Sequence, residues 1–329
     1  MSGRPSSREG MALLTVLLLV AVMAAVCVLI LDDVRFAVRR TANVEHQSEL
    51  QAYAGVAEAV ARQRLVALVA GNPLRTPMTP RWNGQTQSTE MEGTVVRAVV
   101  RDGQTCFNIN SLVTGQGEDL RANDEGARQF VELGVAVGLP RARMTGVAEA
   151  VTDWMDSDQS PSGRGGAEDD RYATRRQPYR TAGLMMAEVS ELRAVVGVDE
   201  ALYARLRPYL CALPEARLTR VNINTLAREQ APVLAALGGG QLRLEDARAA
   251  LAARPAGGWS SVAAFWATPA LNEVVADEAL RSQTALVTHY FDLRIDVEAE
   301  VGRAVRTALI HVSPEGEART VIRRWTPEE

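Results

Sequence analysis

The chain has 329 residues, a formal net charge of −4 and 47% apolar residues, enough to bury a sizeable core and to form two compact units. The acidic balance gives no general attraction for a polyanion, and the 36 basic residues are all arginine, a bias from which no function follows. Aromatic residues make up only 5%, so the core falls to Ala, Val and Leu, which leans toward helix.

Met11 to Leu31 reads MALLTVLLLVAVMAAVCVLIL, without charge or proline. As a helix it spans about 30 Å, the thickness of a bilayer's hydrocarbon core. The run is longer than the apolar centre of a cleaved signal and passes directly into Asp32 and Asp33, which predicts a retained transmembrane helix. Cys27 falls inside it as a small lipid-facing residue. The ten residues before it, MSGRPSSREG, are polar, carry Arg4 and Arg8 and end in Gly10. This arrangement resembles a type IV prepilin leader. The resemblance implies cleavage between Gly10 and Met11 by a prepilin peptidase and N-methylation of Met11. Related pilins carry Glu at the fifth mature position, and Thr15 stands there. A carboxylate in lipid requires a partner, which in a filament is the terminal ammonium of a neighbouring subunit, so a subunit with Thr15 fits the tip. Orientation from charge alone is weak, because Arg35, Arg39 and Arg40 crowd the far flank. Beyond the membrane, Tyr53, Val56, Val60, Leu65 and Leu68 recur at helical spacing and predict an amphipathic continuation. Gly71-Asn72-Pro73 stops it.

Residues 72–93 read as a loop. TVVRAVVR, Thr94 to Arg101, predicts a strand, with a short one through Cys106 after it. Three more strands are expected at Tyr290 to Val297, Arg303 to Val312 and Arg319 to Trp325, with a turn at Pro314-Glu315-Gly316. The middle, about Leu112 to Ala285, reads as helices and loops. The expected fold is α+β: a type IV pilin-like long N-terminal helix packed on a small antiparallel sheet, with a large inserted α-helical domain. The expected divisions are 1–10 leader, 11–31 transmembrane, 32–111 helix, loop and first strands, 112–285 insertion, and 286–329 final strands.

Asn108-Ile109-Asn110-Ser111-Leu112 recurs as Asn222-Ile223-Asn224-Thr225-Leu226, and the Asn and Ser/Thr side chains are expected to cap following helices. Residues 221–266, with Gly238-Gly239-Gly240 and Trp259, resemble a helix-hairpin-helix unit. In nucleic-acid-binding versions the hairpin amides hold phosphate, so a membrane-anchored DNA-uptake component is the alternative reading. Glu229, Glu245 and Asp246 beside it argue against DNA binding, and the helical pair is expected to act as scaffold. Asp153, Asp156, Asp158, Glu168, Asp169 and Asp170 bracket a loop rich in Gly, Pro and Ser. Carboxylates this close repel and favour a state joined by positive charge. Hard oxygen ligands suit Ca²⁺, although Pro161 and the spacing to Glu168 rule out an EF-hand. Salt bridges to Arg164, Arg171, Arg175 and Arg176 are the other account of the same loop. Cys106 and Cys211 are the thiols of the polar part, and in an oxidising compartment their pairing is the expected disulfide. His46, His289 and His311 are scattered and no nucleophile, phosphate-loop or dinucleotide motif accompanies them, so no enzyme is expected.

Taken together, REGMALLTVLLLVAVM, RRTAN at Arg39 to Asn43, CFNINSL, DWMDSD with GGAEDD, PYRTAG with VSELR, and LCALP followed by VNINT resemble the K-type minor pseudopilins of type II secretion (general secretion pathway protein K). The resemblance implies an inner-membrane protein with a periplasmic ectodomain that caps the pseudopilus tip. Its implied partners are the I and J minor pseudopilins, other pseudopilins and the inner-membrane secretion platform, and the tip would support export of folded proteins. The resemblance also implies Ca²⁺ in the inserted domain, with ligands among Asp156, Asp158, Glu168, Asp169 and Asp170.

Overall fold

The computed structural model describes residues 7–72, 74–78, 81–300 and 302–325. Most of the expected leader therefore lies outside the described residues, as does Pro73. Helix α1, Ser7–Ala70, is continuous. From Met11 to Gln47 nearly every residue is exposed, and Leu50 is the first to be buried. By helical rise the bare stretch between Leu31 and Leu50 measures about 28 Å.

The upper third of α1 packs on a five-stranded antiparallel sheet made of β1 (Thr86–Met91), β2 (Thr94–Asp102), β9 (Tyr290–Ala299), β10 (Gly302–Val312) and β11 (Ala318–Arg324), in the order β1-β2-β9-β10-β11. The contact face is Leu50, Ala54, Ala61, Leu65 and Val69 against Val96, Leu293, Ile295, Val297, Ala308 and Ile310. The expected stripe is corrected here. Val56 and Val60 are 56% and 42% exposed, because alanines face the sheet and let the helix approach closely, while the larger valines point away. Glu58 shares the buried face at 2% exposure. It is paired with Arg306 Nε at 2.8 Å and Arg323 Nη2 at 2.6 Å, and it accepts from Thr320 Oγ1 at 2.6 Å. Burial pushes this carboxyl up, but the hydrogen bonds from Arg323 and Thr320 and the Arg306 charge outweigh it and hold the carboxyl below its ordinary range.

The inserted elements follow in chain order. They are β3, Phe107–Asn108; β4, Val113–Gln116, hairpinned with β5, Asp119–Ala122; α2, Asp124–Ala136; α3, Arg141–Met155; and α4, Asp169–Ala173. Then come α5, Glu200–Leu206; β6, Leu210–Cys211; β7, Val221–Asn222; α6, Ala231–Leu237; and α7, Leu244–Ala252. The set ends with α8, Val262–Trp266; α9, Glu278–Ser282; and β8, Thr284–Ala285. The sheet resumes with β9, Tyr290–Ala299; β10, Gly302–Val312; and β11, Ala318–Arg324. Residues 86–91, expected in a loop, form an edge strand. TQSTEM lacks a buried face, so alternation gave no signal there. The strand expected through Cys106 is instead a turn, and pairing begins at Phe107.

One core fills the insertion, including Phe107, Phe130, Met144, Leu206, Leu234 and Phe265. It is separate from the core beneath the sheet. The repeated asparagines organise it in a way the capping expectation understated. Asn108 does cap the short turn after it. Its side chain also accepts from Leu213 N at 3.0 Å and donates to Glu215 O at 2.9 Å. Asn110 donates to Met186 O and Leu213 O, both at 2.9 Å, and accepts from Met186 N at 2.8 Å. In the second copy Asn222 donates to Leu286 O and Thr288 Oγ1, and Asn224 is doubly bonded to the Trp259 backbone. All four residues are buried. Each copy thus ties its own turn to chain far away, and each opens a unit closed by a parallel two-residue ladder: β3 with β6, and β7 with β8. A disulfide joins Cys106 to Cys211 beside the first ladder.

The insertion leaves the sheet at Asp102 and returns at Tyr290. Asp102 is buried and accepts from Gln104 N at 2.7 Å, Thr225 Oγ1 at 2.5 Å and Thr288 Oγ1. Burial pushes its carboxyl up to about 6 against the pull of these three donors. Thr76, just beyond the end of α1, bonds Leu286 O and Thr288 N, so the insertion is rooted at the membrane-distal end of the helix.

Candidate metal centre

Helix α3 carries Glu149 and Asp153 four residues apart, hence on one face, and ends at Asp156, whose backbone turns extended. Ser157 then fastens to Leu120 O through both its amide (3.0 Å) and its hydroxyl (2.9 Å). The glycine-rich loop folds back over the helix, and Glu168 sits at the N-cap of α4 without capping it. Its carboxylate turns toward the loop, where one oxygen from each of Asp156, Asp158 and Glu168 falls within 4.8 Å of the others. Asp156 and Glu168 are only 3% and 6% exposed.

The electrostatics are those of a site short of positive charge. Asp156 Oδ1 and both oxygens of Glu168 are buried without a hydrogen-bond partner. Burial, with the charges of Asp158 and Asp153, pushes the Asp156 carboxyl up to about 7. Burial and the charges of Asp153, Asp156 and Asp158 do the same for Glu168. Among the described residues no arginine pairs with these three. Arg175 instead lies over the rings of Tyr172 and Tyr179 and donates to Tyr179 Oη at 2.6 Å. Orphaned, anionic and oxygen-only, the donor set suits a hard divalent cation.

Asp169 and Asp170 fall outside this group. Asp169 Oδ1 accepts from Thr181 N and Oγ1 at 2.9 and 3.0 Å, and Asp170 is exposed on α4. Asp153, part of the acidic cluster in the sequence, is fully buried. Glu149 joins the site only in the folded chain, where it accepts from Gly165 N. The only sequence signal for it is the four-residue spacing to Asp153.

The glycine hairpin between α6 and α7 shows why phosphate is a poor fit there. A Cβ on Gly239 would lie 3.5 Å from Glu125 Oε1, and one on Gly240 would lie 3.4 Å from Glu132 Oε1, so carboxylates of α2 flank the turn. Arg128 Nε lies as close to Gly239 as Glu125 does but is paired with that carboxylate, and Arg243 is paired with Glu245 and Asp246 at 2.9 Å. The DNA-uptake reading finds no support in this geometry.

A transmembrane stem continuous with a helix packed on an antiparallel sheet, and a separate helical domain set into that sheet, define a membrane-anchored protein of the pilin-like class. Sequence models of the family described as type II secretion system (T2SS), protein K match residues 105–215 and 221–287, which are the two ladder-closed units. The chain is 33% identical to the type II secretion system protein K of Pectobacterium carotovorum subsp. carotovorum over 97% of this chain and 96% of that one. It is 35% identical to that of Klebsiella pneumoniae over 81% of each. In the crystal structure of the GspK-GspI-GspJ complex from the enterotoxigenic Escherichia coli Type 2 Secretion System, one chain matches with a TM-score of 0.75 and 29% identity, covering 88% of this chain and all of that one. The chain belongs to the type II secretion system protein K family. It is a minor pseudopilin, anchored by one helix in the inner membrane with its ectodomain in the periplasm.

Proposed function

We propose that the protein stands at the tip of the pseudopilus, in a complex with the I and J minor pseudopilins, and that its work is assembly rather than catalysis. The observation that carries this reading is the rooting of the insertion at the membrane-distal end of α1. A thin stem can enter a helical bundle while the broad domain above obstructs a further subunit. Thr15 supports the same position: its hydroxyl donates to Ala12 O at 2.9 Å within its own helix and offers no carboxylate to an ammonium ahead of it. The leader is cut between Gly10 and Met11 by a prepilin peptidase, and Met11 is then N-methylated. The stem meets the other pseudopilins and the secretion platform in the membrane.

Calcium is part of the reading. Asp156, Asp158 and Glu168 would hold the ion, which would supply the positive charge their orphaned oxygens lack. With that charge in place the mutual repulsion of the three carboxylates is relieved. Co-expression of the full chain with the I and J subunits, followed by affinity capture on I in calcium and in chelator, tests the proposal. A ternary complex is expected in calcium. Recovery of the chain only as a free monomer in both conditions would refute tip assembly.

A further inference from the structure

We propose that Glu149 and Asp153 are positioning residues of the metal centre, fastening the loop between α3 and α4 so that Asp156, Asp158 and Glu168 converge before any ion arrives. This deepens the calcium reading above and rests on it. The carboxylates of this region fall into two chemically different sets. Asp156 and Glu168 have buried oxygens with no donor. Asp153 and Glu149, by contrast, are satisfied by backbone amides of the loop. Asp153 accepts from Ser162 N at 2.9 Å and from Ala167 N at 2.6 Å, one amide from the middle of the loop and one from its end. Glu149 accepts from Gly165 N at 2.6 Å.

The glycines follow from this arrangement. A Cβ on Gly166 would lie 2.5 Å from Asp153 Oδ2, and one on Gly165 would meet Gly146 of α3 and the Glu149 carboxylate. Gly163, at φ +75°, lies against that same carboxylate. The SGRGGA run is therefore what lets the backbone lie directly on two acids, and Ala167 N, held by Asp153, is the residue before Glu168. A carboxylate that accepts two amides cannot be replaced by a carboxamide without facing an N–H with an NH₂. Groups that orient ligands in this way typically account for about 10–100-fold in metal affinity.

The test is a calcium titration of the detergent-solubilised full chain, with trypsin cleavage at Arg164, in the loop itself, measured in chelator. Asp153→Asn and Gly166→Ala, which disrupt the same contact from opposite sides, are each expected to weaken calcium by about 10–100-fold and to speed cleavage at Arg164 without metal. Asp156→Asn is expected to weaken calcium as well but to leave cleavage in chelator at the wild-type rate, because it removes a ligand and no loop contact. A wild-type calcium affinity in Asp153→Asn, or wild-type cleavage in chelator for both Asp153→Asn and Gly166→Ala, would overturn the assignment. If the unaltered chain takes up no calcium, the calcium reading itself fails and the inference falls with it.

Discussion

Two buried acids illustrate opposite ways of keeping charge inside this protein. Glu58 is surrounded by arginines, so its removal strands Arg306, which is 7% exposed. Glu58→Ala should cost about 3–5 kcal/mol in denaturant unfolding, the usual result of leaving one partner of a buried pair alone. Asp102 has hydroxyl and amide donors, and no cation is among the causes of its shift. Its native carboxyl, at about 6, lies above the ordinary 3.8. The group therefore binds more protons folded than unfolded across that interval. Its contribution to stability is fully present below about pH 4 and is lost as pH rises through 6. Asp102→Asn should flatten the pH dependence of unfolding between pH 4 and 7 by up to about 3 kcal/mol relative to wild type. Equal slopes in the two proteins would show that Asp102 titrates normally. At the candidate metal centre the sequence made the acidic cluster itself visible. Charge density marked the whole cluster from Asp153 to Asp170 and did not separate Asp156, Asp158 and Glu168, which converge, from Asp169 and Asp170, which do not. Which carboxylates would instead grip amides depends on a loop folding back through glycines, and no spacing rule reports that.

At the scale of elements, Tyr290–Ala299 was legible because alternating burial leaves an alternating pattern, and Gly302–Val312, buried at five consecutive residues, through its apolar and β-branched run. Thr86–Met91 was not, since both its faces are wet. The hairpin joining it to β2 turns through Glu92 at φ +51°, a left-handed conformation that asparagine tolerates better. Glu92→Asn should raise stability by about 0.5–1 kcal/mol, less the exposed bond from Tyr53 Oη, which a thermal melt would resolve. The Cys106–Cys211 link spans 105 residues of sequence, nearly the whole first unit. Paired Cys→Ser substitution should cost about 5 kcal/mol by chain entropy. Hydrogen exchange should show the loss in β3, β6 and α2 and leave β9 and β10 protected. The asparagine repeats were visible in the sequence as a motif. Their reach to Met186, Leu213 and Trp259 was not, because it is set by how each unit closes.

For the molecule as a whole, the described residues hold the core beneath the sheet and the core of the insertion as separate clusters, joined through the chain at Asp102 and Tyr290, a small cluster of Leu213, Tyr290 and Leu309, and the Arg324–Glu188 ion pair. Calcium bound within the insertion should therefore raise that unit's melting temperature, by the equivalent of about 2.7 kcal/mol at a hundredfold excess over Kd. The sheet's own transition should move less, and calorimetry with and without chelator would separate the two. The long bare shaft beneath the head, from the bilayer edge to Leu50, has a mechanical consequence. Neighbouring helices can clasp it on any side before their heads touch, so recruitment should begin in the lipid and finish in the periplasm. A push from below then travels along one unbroken rod to the cap.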